Sequence, residues 1–495
     1  MRNKIFLDGT ERDFFRLVSK LTFSNPFEAG TFDLACRIAG GRFRSRDLLN
    51  KKLILSIRQK LDDIVFKRSK TWKDFSGEDR ELIRVASLYD AYHGCMTDFD
   101  ELIIQQIDRT VDLCTVPFAH KTLSLLYQRG FEADQALQYF AFYYQLRRAW
   151  YFIFHGLIGK NPSMEKLRAH LWRSVFTHDA HWYEQFLWNR MEDFSTFLVG
   201  ETGTGKGTAA AAVGRSGYIP FDEGKGRFVE SFMGNFIEIN LSQFPESLIE
   251  SELFGHQKGA FTGAIESHKG VFALCSRFGS IFLDEIGEVS MPVQIKLLKV
   301  LEERNFTPVG SHEKSQFSGR IIAATNKSIS ELRESNIFRR DFYYRLCSNV
   351  ITVPTLRKQI EEEPASLEVL LRHTIQRIVG AQSAKLEEMV LNVIGREVGP
   401  QYHWPGNVRE LEQAVRCVLL NNNYCSEIEG WCEVPATVPG EIFHNLQLSA
   451  HELLSVYCKA LYKKYKTYEK VSQITELDAR TVKKHIQYQS NIGRQ

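Results

Sequence analysis

The stretch LVGETGTGKGT, at residues 198–208, constrains the fold of this chain more than any other feature. It follows the apolar run STFLV and precedes the alanine-rich run TAAAAV, which is the order strand, glycine-rich loop, helix. It contains the pattern G-x-x-x-x-G-K as Gly200, Gly205 and Lys206. In such a loop, successive backbone N–H groups and the N-terminus of the following helix face phosphate oxygens. The pattern therefore predicts an α/β domain that binds a nucleotide.

Four further apolar runs supply the rest of a sheet. Each is short and ends in a polar loop: NFIEIN (235–240), SIFLDE (280–285), RIIAATN (320–326) and NVITVP (349–354). Unbroken apolar character is typical of strands that helices cover on both faces, as in parallel sheets. We therefore expect an α/β core over residues 155–357 and, from the helical pattern that follows, a helical lid over 358–430.

Two acidic residues, Asp284 and Glu285, end the strand predicted at 280–285. In P-loop hydrolases an aspartate at this place organises Mg²⁺, and the neighbouring glutamate fits the polarisation of the attacking water. Gly207 departs from the general pattern, which places Ser or Thr after the lysine to help hold Mg²⁺. Here Thr208 follows one position later. ATP and Mg²⁺ are thus the expected cofactors, and the rate of turnover stays open.

The bulk properties exclude few classes of protein. A length of 495 residues favours two to four domains, and the net charge of +3 says little about partners. The nine cysteines contain no C-x-x-C pair, which fits reduced thiols. The first residues lack the apolar run of a signal peptide, and the most apolar stretch, 139–159, is interrupted by Gln145, Arg147 and Arg148. We expect a cytoplasmic protein without a membrane partner.

The first 154 residues read as an all-α regulatory or sensory region. Amphipathic stripes recur at helical spacing, for example at Leu49, Leu53, Ile57 and Leu61. This region resembles no family that its motifs identify. Between residues 139 and 154 it carries nine aromatic side chains, for which core packing is favoured over a ligand pocket. The signal that it senses, and whether it represses or stimulates, stay open.

The C-terminal segment predicts a DNA-binding helix-turn-helix over residues 447–495, after a linker at 431–446. In YEKVSQITELDARTVKKHIQ, the apolar residues Val471, Ile474 and Leu477 would face inward, with Val482 and Ile486 packing back. Asp478 would cap the second helix. The outer face, which would enter the major groove, carries Arg480, Thr481, Lys483, Lys484 and His485.

Five motifs in order resemble the bacterial sigma-54-dependent transcriptional activators, which are AAA+ ATPases with a Fis-type DNA-binding domain. They are ESELFGHQKGAFTGA (250–264), FLDEIGE (282–288), RIIAATN (320–326), FRRDFYYRL (338–346) and WPGNVRELE (404–412). The resemblance runs from about residue 157 to the C-terminus, and GAFTGA is its most specific motif. It implies an AAA+ ring, typically a hexamer, that remodels sigma-54 RNA polymerase at the expense of ATP.

The resemblance also implies roles for individual residues. Gly200, Glu201, Thr202, Gly203, Thr204, Gly205, Lys206, Gly207 and Thr208 would hold the nucleotide, with Asp284 on Mg²⁺ and Glu285 on water. Asn240 would restrain Glu285, Thr325 and Asn326 would form the first sensor, and Arg339 and Arg345 would be arginine fingers acting on a neighbouring subunit. The contact with sigma-54 would be made by Gly259, Ala260, Phe261, Thr262, Gly263 and Ala264.

Arg409 would be the second sensor in such a protein. The local sequence supports a helix start there, because Asn407 is able to cap a helix and Glu410 lies at the spacing of a capping box. Two departures from the family stand out: Gly207 replaces a usual glutamate, and residues 217–234 and 175–193 look like insertions.

We therefore expect a transcriptional activator that hydrolyses ATP. The alternative is a DNA-binding regulator that binds ATP as a switch and hydrolyses it weakly or not at all. A chaperone unrelated to transcription is disfavoured by the GAFTGA motif and the C-terminal helix pair.

Overall fold

A computed structural model describes residues 5–65, 70–109, 113–334, 338–381, 383–399, 402–422, 424, 450–475 and 477–487. The chain divides into two compact units, Met1–Asn422 and Asn423–Gln495. In the part of the chain that is described, no helix is long and apolar enough to cross a membrane.

The N-terminal region is helical, as predicted. Its helices are α1 (Gly9–Thr22), α2 (Ala29–Ala39), α3 (Arg46–Ile64), α4 (Gly77–Gly94), α5 (Met96–Arg109), α6 (Ala119–Gln128), α7 (Ala133–Gly156) and α8 (Pro162–Phe176). The helix α1 begins with a full capping box, in which Asp8 accepts from the backbone N–H of Glu11 and Glu11 accepts in return. The apolar residues of α1 to α6 and of the first half of α7 meet in one core, whereas those of α8 and of the end of α7 pack in a second core with the sheet.

A five-stranded parallel sheet forms the second layer. The strands are β1 (Thr196–Val199), β4 (Phe236–Asn240), β5 (Ser280–Asp284), β8 (Arg320–Thr325) and β9 (Val350–Thr352). Their order is β4-β5-β8-β1-β9, and every pairing between them is parallel. All five strands predicted from apolar runs are confirmed. The central strands β1 and β8 are buried along their whole length, which explains why their sequences carry no polar alternation.

Helices cover both faces of this sheet. They are α9 (Ala180–Trp182), α10 (Lys206–Gly214), α11 (Glu246–Phe254), α12 (Val271–Leu274), α13 (Met291–Glu303), α14 (Ile329–Glu334) and α15 (Arg340–Leu346). One face packs on α8 and α10, and the other on α11, α13 and α15. Four further helices follow as the predicted helical lid: α16 (Leu356–Glu362), α17 (Ala365–Val379), α18 (Ala384–Glu397) and α19 (Asn407–Asn421).

Residues 217–234, which the resemblance leads us to expect as an insertion, contain a small hairpin of β2 (Phe221–Asp222) and β3 (Arg227–Phe228). A second small hairpin pairs β6 (Asn305–Phe306) with β7 (Ser315–Gln316). The aromatic residues of the first hairpin are buried in the core of the N-terminal helices, where Phe228 stacks on Tyr144 with ring centroids 3.9 Å apart. The N-terminal core therefore extends beyond the boundary predicted at residue 154, because a segment that follows α10 completes it.

The C-terminal unit contains α20 (Ala450–Tyr465), α21 (Tyr468–Thr475) and α22 (Ala479–Gln487). These helices meet at Leu461, Val471 and Val482, which are buried. The linker predicted at 431–446 lies outside the described residues.

Candidate functional site

The glycine-rich loop follows β1 and leads into α10, as its sequence predicts. Gly203 and Gly205 have φ values of 80° and 96°, a left-handed backbone that glycine adopts without cost. Lys206 is the first residue of α10 and is buried. Its Nζ donates to the carbonyl oxygens of Gly200 (2.8 Å) and Glu201 (3.2 Å), and burial lowers its pKa. The lysine is thereby held across the mouth of the loop.

The two predicted carboxylates lie at the same edge of the sheet. Asp284 ends β5 and is in register with Asn240 at the end of β4. Burial raises the pKa of both Asp284 and Glu285, and the charge of Lys206 opposes this shift in each. The lysine of the glycine-rich loop therefore lies close enough to two partly desolvated carboxylates to interact with their charges, which is the charge pattern expected of a site for a metal-bound polyphosphate.

Glu285 is held in an unusual backbone conformation. Its φ of 54° is left-handed, which costs a non-glycine residue about 1–2 kcal/mol. Its carboxylate accepts from the backbone N–H of Asn326 at 3.2 Å. The end of β5 and the end of β8 are therefore joined through this glutamate, and the predicted first sensor lies beside the predicted water-activating residue. Thr325, one position earlier, is fully buried.

Asn240 has a structural partner of its own. Its Oδ1 accepts from the backbone N–H of Ser242 at 3.0 Å and from its hydroxyl at 2.7 Å. Among the described residues, Asn240 thus bonds to Ser242 rather than to Glu285. The restraint of Glu285 by Asn240, which the family resemblance implies, stays a prediction.

Glu238 is a site residue that sequence reasoning missed. A Cβ atom placed on Gly207 would lie 3.7 Å from its Oε1 and 3.9 Å from Phe282, which are ordinary contact distances. Burial raises the pKa of Glu238, and the charge of Asp284 adds to the shift. A carboxylate from β4 therefore lies next to the position where the resemblance leads us to expect a glutamate on α10. The glutamate in the middle of the apolar run FIEIN was the available signal.

Asn407 joins the helical lid to the phosphate loop, which is the glycine-rich loop at residues 200–206. It is fully buried with a φ of 53°, its Oδ1 accepts from the N–H of Leu356 (2.8 Å), and its Nδ2 donates to the carbonyl of Thr202 (3.0 Å). The prediction that Asn407 caps the helix is wrong, since Gly406 occupies the cap position and Asn407 is the first helical residue. The spacing was still informative, because Glu410 accepts from the N–H of Gly406 at 2.8 Å.

Two further contacts hold the lid on the loop. The N–H of Val408 donates to the carbonyl of Gly203 at 3.0 Å, and a Cβ on Gly203 would lie only 2.2 Å from the carbonyl oxygen of Gly406. The Arg357 guanidinium bonds to the carboxylate of Glu201 and lowers its pKa. The close approach of the Gly406 carbonyl to the loop requires glycine at position 203.

Arg409, the predicted second sensor, is exposed in the first turn of α19. A Cβ on Gly203 would lie 3.0 Å from the Cβ of Arg409, so the base of this side chain borders the phosphate loop. Its positive charge also opposes the upward shift in the pKa of Asp284 that burial causes. The structure therefore brings Arg409 to the predicted site.

The two predicted arginine fingers bond elsewhere. Arg339 is exposed and its Nη2 donates to Asp341 at 2.6 Å, while Arg345 donates to the carbonyl of Leu301 at 2.9 Å. Neither bond is to the phosphate loop. Both side chains lie on the surface around α15, and their action on a neighbouring subunit stays a prediction.

The GAFTGA segment forms a closed loop between α11 and α12. His256 and His268 pair at its base, and a Cβ on Gly270 would lie 2.3 Å from the backbone nitrogen of Gly255, so these two glycines allow the chain to cross itself. At the tip Thr262 is exposed, and Phe261 is 38% exposed with its ring 4.9 Å from that of His256. The side chain of Phe261 therefore lies on an exposed turn and is not buried in a hydrophobic core.

The predicted recognition helix is α22, and Asp478 caps it by accepting from the N–H groups of Arg480 (2.9 Å) and Thr481 (3.0 Å). Arg480, Lys483 and Lys484 are exposed. The placement of His485 on the outer face is wrong, because His485 is buried and its carbonyl accepts from the Ser455 hydroxyl at 2.7 Å. Ile474, expected to face inward, is 38% exposed.

Comparison with known proteins bears on this site directly. Residues 180–353 match the family described as "Sigma-54 interaction domain". The chain carries a sigma-54 interaction domain. The match spans the phosphate loop, the two carboxylates, the GAFTGA loop and the two surface arginines. Four of the five motifs lie within the matched range, which confirms the resemblance, and the fifth, at 404–412, lies beyond it.

Relatives of this sigma-54 interaction domain are regulators of transcription. The chain is 37% identical over 274 residues to "DNA-binding transcriptional regulator NtrC" of Azospirillum brasilense, covering 55% of this chain and 49% of that protein. It is 37% identical over 267 residues to "Sigma54-dependent transcriptional activator SfnR" of Pseudomonas putida, covering 53% and 63%. The chain spans about half the length of the curated relatives it matches.

A solved structure of NtrX from Brucella abortus in complex with ADP aligns with a TM-score of 0.42 at 18% identity, over 74% of this chain and 79% of that one. The presence of the sigma-54 interaction domain is shown by the sequence match over residues 180–353 and not by this structural alignment.

Proposed function

We propose that this chain is a sigma-54-dependent transcriptional activator that hydrolyses ATP in an AAA+ domain. The observation that carries the proposal is the pairing of two features in one domain: a GAFTGA loop with Phe261 and Thr262 exposed, and a lysine and two carboxylates at the edge of the sheet. The first is the contact expected for sigma-54 and promoter DNA, and the second is the source of free energy.

The residues of the site divide the work of hydrolysis. The backbone N–H groups of the loop and the ammonium group of Lys206 would bind the phosphates, since the partial charges of the former and the full charge of the latter are both positive and lie at the start of α10. Carboxylate oxygens are the ligands that Mg²⁺ prefers, so Asp284 and Glu238 fit a site for this ion, which when bound would neutralise charge on the phosphates. Glu285 would orient the attacking water and accept its proton, which its raised pKa favours.

Arg339 and Arg345 would complete the site of a neighbouring subunit. Each lies on the surface around α15, where a second copy of the chain is able to reach it. An arginine supplied in this way neutralises charge in the transition state and contributes about 10³- to 10⁵-fold in rate in other nucleotide hydrolases. We propose a ring assembly on this ground, with DNA bound through the exposed Arg480, Lys483 and Lys484.

Replacing Thr262 by Ala tests the proposal. We expect ATP hydrolysis to stay within about twofold of wild type, because Thr262 is exposed and its loop lies outside the phosphate site, while transcription from a sigma-54 promoter is lost. The matched control is Ser267→Ala, an equally exposed change in the same segment outside the motif. Transcription that survives Thr262→Ala at the wild-type rate would refute the proposal.

The competing function, ATP binding as a switch without turnover, makes a different prediction for the full-length chain. The proposed ring predicts Mg²⁺-dependent hydrolysis whose rate per subunit rises with protein concentration, because fingers act between subunits. ATP that binds but is not hydrolysed at any concentration would favour the switch.

A further inference from the structure

A cavity of about 510 Å³ lies among the N-terminal helices. Its wall is mainly apolar and aromatic, with Phe32 on α2, Leu53 on α3, Leu88 on α4, Phe142 on α7 and Trp172 on α8. This volume lies within the range of sites for small organic molecules, roughly 300–1,000 Å³. The aromatic cluster that was expected to be core packing is therefore split: some of its members pack, and others line a space.

The charged groups of the wall already have partners or face solvent. Arg147 donates to Asp100 at 2.7 Å and its guanidinium lies 4.0 Å from the centre of the Trp150 ring. Glu184 accepts from Arg84 at 2.8 Å. The remaining two, Arg46 and Asp47, are exposed. Among the described residues of this wall, a charged ligand would therefore find no buried counter-charge that is not already paired.

His93 contributes a neutral polar group to the wall. Its Nδ1 lies 2.9 Å from the carbonyl oxygen of Tyr89, which only accepts, so Nδ1 carries the hydrogen and Nε2 is left as an acceptor. Burial lowers the pKa of His93 to about 4, which keeps the ring uncharged at neutral pH. The chemistry of the wall therefore favours a small, uncharged and largely apolar molecule.

The helix α7 separates this cavity from the nucleotide site. Phe142, Leu146 and Trp150 line the cavity. On its other side, Gln145 donates to the carbonyl of Ser216 at 2.9 Å, and Tyr144 stacks on the inserted hairpin. Any shift of α7 that follows from filling the cavity would therefore also displace its contacts with Ser216 and with the hairpin on the far side of the helix.

The far side of α7 lies antiparallel along α10, the helix that begins at Lys206. At one end, the fully buried Arg148 donates to the carbonyls of Arg215 and Gly217, both at 2.6 Å, and so holds the C-terminal end of α10. At the other end, a Cβ on Gly156 would lie 3.4 Å from the Cγ2 of Thr208. The phosphate-binding helix is thus supported along its length by a wall of the cavity.

We propose that the cavity binds a small, uncharged, largely apolar molecule and that α7 transmits its occupancy to α10. The binding half of this proposal stands by itself. The regulatory half rests on the proposed ATPase function, since it requires a rate to regulate.

Binding is tested on the full-length chain with N-phenyl-1-naphthylamine, an uncharged fluorescent probe. We expect saturable binding at micromolar concentrations with enhanced emission, weakened at least tenfold by Ala35→Phe, which fills the cavity. Ala39→Phe is the matched control, because Ala39 is equally buried on α2 but is not part of the wall. Ala35→Leu, a milder filling change, gives the same contrast if the larger side chain disturbs folding. Absent binding, or binding unchanged in both cavity variants, would overturn the proposal.

Coupling is tested by ATP hydrolysis with and without saturating probe. We expect the rate to change at least twofold in wild type and to become insensitive to the probe in Arg148→Met, which still binds it, with Arg148→Lys retaining part of the response. Probe binding without any change in a measurable rate would overturn the coupling. Absent hydrolysis with intact probe binding would refute the proposed ATPase function and the regulatory half, and leave the binding site standing.

Discussion

Replacing Asn407 by Ala tests how the helical lid is attached to the phosphate loop. The change removes the acceptor of the Leu356 N–H and the donor to the Thr202 carbonyl, at a residue with no solvent exposure. The buried Leu356 N–H, left without its partner, costs about 1–3 kcal/mol, and the part-buried Thr202 carbonyl, which water is able to reach, costs less. Alanine also tolerates the left-handed backbone at this position, φ 53°, less well than asparagine does, which adds about 1 kcal/mol.

The sum is about 3 kcal/mol of local stability, or roughly a hundredfold in the equilibrium for opening the contact. Hydrogen exchange measured by mass spectrometry reports this opening through the amides of residues 198–206 and 404–412. We expect exchange there to accelerate about a hundredfold, and nucleotide affinity to fall with it, because the same contact shapes the loop. Peptides from the N-terminal helices should be unchanged.

Asn422→Ala is the matched control. Asn422 ends the same helix with a φ of 51°, but it is exposed, so its replacement costs only the left-handed preference. Exchange in Asn407→Ala that is no faster than in Asn422→Ala would refute the assignment of Asn407 as the connection between lid and loop.

Three further substitutions test the candidate nucleotide site. Glu285→Gln should raise the melting temperature above pH 7, because burial raises the pKa of Glu285 and its ionised form is therefore a cost that is absent once the carboxyl is protonated below about pH 4. Scanning fluorimetry across pH, with the exposed Glu302→Gln as control, checks this; an equal gain at low pH would contradict it. Gly207→Ser should fold normally, because a side chain has room at this position. It should also hydrolyse ATP faster at limiting Mg²⁺, because a hydroxyl after the lysine helps to hold that ion. Gly203→Ser should lose nucleotide binding, because its Cβ would lie 2.2 Å from the oxygen of Gly406; equal behaviour of the two variants in a binding assay would contradict both.

Much of the α/β domain was predictable because its signals are local. The five strands are runs of apolar residues that helices cover on both sides, and the phosphate loop is one continuous motif. Glu238 was missed for a related reason: β4 is an edge strand, so one of its side chains is free to face the site while the rest of the run is apolar.

What the sequence did not predict depends on contacts between distant residues. Asn407 has the residue type of a cap, but its bonds go to Thr202 and Leu356, which no local pattern connects to it. On α22, adjacent residues point about 100° apart, so a small error in the assumed orientation moved His485 from the buried to the exposed side. The cavity was likewise beyond reach, since aromatic residues at helical spacing look the same whether they touch each other or surround a space.

The hairpin at 217–234 has a consequence for how such a protein evolves and is engineered. Signal-receiving regions are often treated as interchangeable modules that are exchanged by cutting the chain at a linker. Here the core of the first region contains Phe221, Phe228 and Phe232 from beyond α10, so a cut near residue 155 would separate a core from part of its own side chains. A functional graft of this region onto another protein must therefore carry the hairpin with it.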